Sequence, residues 1–146
     1  MQIEIKNDSN CKEIKIIILT DKMTDEVNEI VKRLSEEAPQ IIAGIKDDRL
    51  EILDQTNIFR VYSTDKKVFA VTNSGEYIVR MRLYEIEERL DKNNFVRISN
   101  SEIINIRKVK NFDLSFTGTI CVSLLDGRVT YVSRRYVAKI KLLLGI

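Results

Sequence analysis

From Arg49 to Val132 the chain is built of short β-prone runs at close spacing, separated by turn signals. The runs are Leu50–Leu53, Ile58–Tyr62, Lys67–Thr72, Glu76–Arg80, Phe95–Ile98, Ile103–Ile106, Val109–Leu114, Thr119–Leu124 and Arg128–Val132. Asn73-Ser74-Gly75 and Asp126-Gly127 supply hairpin turns, the second of the favoured Asp-Gly type. Many short strands at this spacing predict an all-β assembly of small sheets. Two helices interrupt or close it. Leu83, Ile86 and Leu90 share one side of a short helix, and Val137, Ile140 and Leu144 line another that starts near Arg134, with Ser133 placed to cap it. Phe95, Ile98, Ile103, Ile104, Val122, Leu124, Val137 and Ile140 are the expected core, with Tyr136 packing beside it.

The first 45 residues read differently. Ile3 and Ile5 alternate with polar residues, and Ile14–Leu19 is an apolar run, so both predict strands. Thr24-Asp25-Glu26 starts a helix with a capping hydroxyl and two acids suited to the helix dipole. Val27, Ile30, Val31 and Leu34 give that helix a stripe expected to be buried, and Ala38-Pro39 stops it. Residues 1–45 are thus expected as a β-β-α extension, a dimerisation or regulatory element. Ile41 to Asp48 reads as a connector, and 46–146 as the main domain. The fold class is mainly β, α+β overall.

Several functions lack their chemistry. The chain has no histidine, the commonest general base and metal ligand. Cys11 and Cys121 stand far apart with no CxxC spacing, and read as two buried thiols. No GxGxxG, GxxxxGK[ST] or GxSxG motif occurs. An enzyme would have to rely on a carboxylate pair or a lysine nucleophile, and Glu85, Glu87 and Glu88 read as solvated residues of a short helix. No catalytic residue, cofactor or metal is therefore expected. Asp21, which ends the apolar run, resembles a phospho-accepting position. The roughly 45 residues before the β module are too few for a receiver domain, so Asp21 reads as a turn residue. No apolar run approaches the roughly 20 residues that cross a bilayer, and Met1–Lys6 is not a signal peptide. A cytoplasmic location is the expectation.

The net charge of +2 is unevenly spread. Residues 1–48 carry 7 Lys/Arg against 11 Asp/Glu, residues 49–96 carry 8 of each, and residues 97–146 carry 9 against 3. The basic excess lies in the last third, as expected of a surface that faces phosphates, although a solvated basic face gives the same pattern. Two segments there combine β strands with small polar clusters: Phe95-Val96-Arg97-Ile98-Ser99-Asn100-Ser101-Glu102-Ile103-Ile104-Asn105-Ile106, and Leu125 to Tyr136, which runs out into Ser133-Arg134-Arg135-Tyr136 at a helix start. Arginine can donate two parallel hydrogen bonds to guanine, asparagine can pair bidentately with adenine, and hydroxyls, lysines and helix-start N–H groups hold phosphates. Asn100 also reads as a turn former, and Arg134 and Arg135 as solvated residues. Cations at a helix start oppose the dipole, which argues for another reason for their presence. Asn105 and Arg107 read as either structural or functional.

In order and at this separation, FVRISNSEIINIRKV and LLDGRVTYVSRRYVAKIKLLL resemble the LytTR (LytR/AlgR-type) DNA-binding domain. The likeness covers about residues 46–146. It implies small antiparallel sheets with short helices, and loops that enter successive major grooves at promoter direct repeats. It places Asn100, flanked by Ser99 and Ser101, in the DNA-contacting strand–loop motif. Arg135 falls at the base-reading position and Arg134 at a phosphate, roles the two could exchange. Lys66 and Lys67 fall in an early loop where some members use a histidine or another basic residue. The form without a receiver resembles small stand-alone regulators of Gram-positive bacteria, which implies a homodimer on DNA and a membrane-protein regulatory partner. The rival reading is a protein-interaction or sensory adaptor that kept the scaffold without reading DNA.

Overall fold

A computed structural model describes residues 1–35 and 41–146, which divide into two units, Met1–Glu36 and Glu37–Ile146. Among the described residues of the second unit, ten strands form two antiparallel sheets. The first sheet holds β1 (Ile42–Lys46), β2 (Arg49–Leu53), β3 (Ile58–Thr64), β4 (Lys67–Thr72), β5 (Gly75–Val79), β6 (Phe95–Ser99) and β7 (Glu102–Asn105), in the order β2-β1-β5-β4-β3-β7-β6. The second holds β8 (Val109–Asp113), β9 (Ile120–Leu124) and β10 (Val129–Val132), in the order β10-β9-β8. Helix α2 (Leu83–Arg89) links β5 to β6, and α3 (Arg134–Leu144) follows β10. Each strand predicted from Arg49 onward is present, Lys67–Thr72 with the same bounds and the others displaced at an end by one or two residues.

Two-residue turns set the register. Asp47-Asp48 joins β1 to β2 and Asp65-Lys66 joins β3 to β4, with φ of 51° and 62°, and of 49° and 62°. Positive φ at both central residues is the condition for a type I′ hairpin, and aspartate tolerates it better than most residues.

β6 and β7 are covered on both faces, which is why consecutive residues are buried in each, Phe95 and Val96 in β6 and Glu102–Asn105 in β7. Phe95 and Ile103 join a core with Val61, Val68, Ala70, Tyr77 and Val79, closed by Leu83, Ile86 and Leu90 of α2. Val96, Ile98 and Ile104 join a second core with Ile120, Val122, Leu124, Val132 of the smaller sheet and Ile140 of α3. Val137 is only partly buried at the edge of that core, because the α3 face is narrower than expected.

Four expectations are corrected. Ile42–Lys46 is not a connector but strand β1, paired to both β2 and β5. Its Gly44 faces Tyr77 so closely that a Cβ would stand 2.6 Å from the Cβ of Tyr77. The strands expected at Ile3–Ile5 and Ile14–Leu19 are absent from the described residues, where no partner strand satisfies their backbone. Helix α1 (Asp25–Ser35) does form, and Thr24 Oγ1 accepts the Val27 N–H at 3.3 Å. Its stripe is not buried, however: Val31 and Leu34 are exposed and Val27 and Ile30 only half-buried. Cys121 is buried but Cys11 is exposed, since it lies outside either core. The predicted stop at Ala38-Pro39 lies outside the described residues. Among the described residues no helix is long and apolar enough to cross a membrane.

Candidate nucleic-acid interface

The strand directions carry the candidate residues to one end of the second unit. β6 and β7 meet at a turn containing Asn100 and Ser101, with Ser99 closing β6. β3 lies beside β7 with Tyr62 opposite Glu102, so it runs toward the same turn. Its next residue, Ser63, donates its N–H to the Ser101 carbonyl at 2.8 Å. The β3–β4 hairpin therefore projects past the β6–β7 turn, carrying Lys66 at its tip and Lys67 at the start of β4. α3 arrives at the same end, because Ser133 N–H donates to the Ile98 carbonyl at 2.9 Å. Ser133 stands at the N-cap of α3, but its side chain makes no capping hydrogen bond.

The β6–β7 turn and the helix start are joined directly. Tyr136 Oη donates to Asn100 Oδ1 at 3.2 Å. Within the turn, Ser101 N–H donates to Ser99 Oγ at 3.2 Å, and the two serine hydroxyls are 3.4 Å apart. Arg97 braces the turn from inside: Nε donates to the Ser99 carbonyl at 2.8 Å and Nη2 to the Asn100 carbonyl at 2.6 Å. Its Nη1 donates to Glu87 Oε2 of α2 at 2.9 Å, so Glu87 is paired rather than merely solvated.

Asn100, Ser101, Lys66, Lys67, Arg134 and Arg135 are exposed, and Ser99 is half-buried. Among the described residues, none of the four cations forms an ion pair. Nearby acids are largely compensated. Glu102, below the turn, is buried, accepting from Arg60 Nη1 at 2.8 Å and Thr130 Oγ1 at 2.5 Å. Asp65, exposed at the hairpin tip beside Lys66, and Asp113, exposed at the end of β8 and bonded to Ser115, are not paired with a cation among the described residues. Arg134 lies over the loop 114–119, where a Cβ on Gly118 would stand 3.3 Å from its Nε. The φ of 74° accounts for glycine there.

Of the two residues left between roles, Asn105 is structural. It is 2% exposed, its Nδ2 donates to the Ile58 carbonyl at 2.9 Å, and its Oδ1 accepts the Arg107 N–H at 3.0 Å. Arg107 points away from the candidate end, donating to Asn94 Oδ1 at 3.1 Å. Sequence reading missed Arg97, Tyr136 and Gly118 as parts of this end. Arg97 and Tyr136 lay inside the two singled-out segments, but nothing in the residue pattern says where a guanidinium or a phenol points. The described residues hold no group of three or more acids or cysteines able to bind a metal.

Residues 48–145 match the family described as the LytTr DNA-binding domain. An uncharacterised HTH-type transcriptional regulator of Staphylococcus aureus (strain NCTC 8325 / PS 47) is 31% identical over 147 residues, covering all of this chain and 99% of that one. A counterpart in strain MSSA476 is 33% identical over 140 residues, 94% of this chain and 95% of that one. In structure, the LytTr DNA-binding domain of a Bacillus cereus protein, described as a methyl-accepting/DNA response regulator, superimposes with a TM-score of 0.70 at 23% identity. The superposition covers 73% of this chain and 97% of that one.

Proposed function

Since this chain belongs to the LytTR family of DNA-binding domains, we propose that it is a transcription regulator that reads promoter DNA with the end of the β unit bearing Asn100 and Arg135. The family is a DNA-binding and not an enzymatic one, and the chain is accordingly a binding protein. The observation that carries the reading is the Tyr136–Asn100 hydrogen bond. It ties a helix start with two exposed arginines to a turn with an exposed amide, although 33 residues separate Asn100 from Ser133.

In this reading Arg135 and Asn100 enter a major groove and contact base edges. Arg134, Lys66 and Lys67 lie on phosphates, and Ser99 and Ser101 support the contact from the turn. Groove reading rests on turns and a helix start, because no two helices follow one another among the described residues to form a helix-turn-helix. Two protomers occupy neighbouring direct repeats, and residues 1–35 serve as the dimerisation or regulatory element. Their exposed Ile14, Ile17 and Leu19 offer the surface to which a second copy, or a membrane-protein regulator, attaches. The work is cytoplasmic, where the promoter is.

Fluorescence anisotropy with a promoter fragment tests this. Three phosphate contacts on each of two protomers predict that log K falls against log salt with a slope of about −5. Arg135→Ala is expected to cost about 1–3 kcal/mol on the preferred site and little on unrelated DNA. Binding that ignores salt, or no binding, favours the adaptor reading instead.

A further inference from the structure

Asn100 is held at two points by residues that are not themselves placed to touch bases. Its main chain is fixed by Arg97 through the carbonyls of Ser99 and Asn100, at 2.8 and 2.6 Å. Its side chain is fixed by Tyr136, whose hydroxyl donates to Oδ1 at 3.2 Å. An asparagine amide is asymmetric, with an acceptor at one corner and two donors at the other, so its rotation decides which base edge it complements. A donor on Oδ1 selects one rotation and leaves the Nδ2 donors and a second Oδ1 lone pair free. That is the donor–acceptor pair adenine requires.

Arg97 is equally committed. Two of its nitrogens hold the turn and the third is on Glu87, with the guanidinium largely buried. One charge of the basic C-terminal third is thereby spent inside the fold and withdrawn from the phosphate-facing set. We infer that Arg97 and Tyr136 are positioning residues that set the base preference of Asn100, Arg97 by fixing the turn and Tyr136 by fixing the amide rotation. The inference rests on the reading of Asn100 as a base contact and adds what determines its selectivity.

The experiment uses the whole chain and a duplex enriched by it from a random pool, with each base varied in turn. Wild type, Asn100→Ala, Tyr136→Phe, Arg97→Gln, Glu87→Gln and the Asn100→Ala/Tyr136→Phe double variant are compared. Tyr136→Phe removes a single oxygen from a half-buried ring. It is expected to lower preference at the Asn100 position about fivefold, the worth of one neutral hydrogen bond, with binding to unrelated DNA unchanged. Arg97→Gln is expected to lower it about tenfold or more, as two charge-assisted bonds to the turn are lost. Should that variant fail to fold, as its unfolding midpoint would show, Glu87→Gln takes its place, loosening the guanidinium without removing it. In the Asn100→Ala background Tyr136→Phe should change nothing.

If Asn100→Ala loses selectivity while Tyr136→Phe and the Arg97 or Glu87 variant keep it, the positioning role is wrong and the base contact stands. A Tyr136→Phe effect that persists without the Asn100 amide, or that weakens all sequences alike, also overturns it. If Asn100→Ala itself keeps the wild-type preference, the base contact falls, and the inference with it.

Discussion

The isoleucines between the sheets of the second unit meet the opposite fate from those of the first, although Ile52 on the edge strand β2 is 72% exposed. In the first, Ile14 is 94% and Ile17 67% exposed; in the second, Ile98, Ile104 and Ile140 are fully buried. The side chain and its β preference are the same, so neither decides the outcome. What differs is the supply of partners. Each strand of the second unit has an antiparallel neighbour, most joined within a few residues through a tight turn, and a second layer or helix covers most of the sheet. The stretch 1–24 has an apolar run and a turn at Asp8–Cys11, closed by the Cys11 N–H on the Asp8 carbonyl at 3.1 Å, but no strands pair on either side of it among the described residues. β propensity is a fit to a pleated, half-buried surface and becomes a strand only where such a surface exists.

Substitutions in the two units should separate sharply, and any that fail to do so would break the contrast. The largest loss is expected from Ile104→Ala, which opens a cavity between the two sheets. About 2–5 kcal/mol should disappear from urea unfolding followed by circular dichroism. A loss below 1 kcal/mol would mean that the layers are not closely packed. Next comes Asn105→Ala, which strands the Ile58 carbonyl and the Arg107 N–H. Thermal unfolding should report about 1–3 kcal/mol.

Tyr62→Phe sharpens the contrast through pH. Burial, and then the hydrogen bond from Tyr62 to Glu76 at 2.6 Å, raise the phenol above its ordinary value. The neutral form is favoured in the fold. Its contribution is intact below the ordinary tyrosine value of about 10 and is lost as pH rises through the folded one. Wild type should therefore lose stability above pH ~10 faster than the variant. Tyr77, also raised, chiefly by its hydrogen bond to Glu51, remains in both proteins and cancels from the comparison. Parallel alkaline curves would remove Tyr62 from the account. The smallest effect belongs to Ile17→Ser, expected within about 0.5 kcal/mol of wild type. Sedimentation should instead show weaker self-association. A loss like that of Ile104→Ala would give the first unit a core of its own.

The β unit was legible because its period-2 runs and polar turns agree with one another from Arg49 to Val132. β1 escaped because Gly44 interrupts its pattern, and the side chains of Tyr77 and Leu53 packed against it explain why glycine is there. The turns at Asp47-Asp48 and Asp65-Lys66 contain no glycine and gave no signal. At the candidate end, residue chemistry named Asn100, Arg134 and Arg135, but convergence depended on the β3–β7 register and on Tyr136, both tertiary facts. Asn105 could not be sorted from the sequence, since its role is fixed by a carbonyl 47 residues away.

Which surface of the β unit meets DNA is reported directly by an amide-resolved NMR titration with a duplex selected by the protein from a random pool. Shifts at Lys66, Lys67, Ser99 to Ser101 and Arg134 to Tyr136 should move together with one dissociation constant, leaving the opposite end around Asp54 and Arg107 still. Perturbations gathered at that opposite end, or along the outer edge of β2, would contradict the proposed interface.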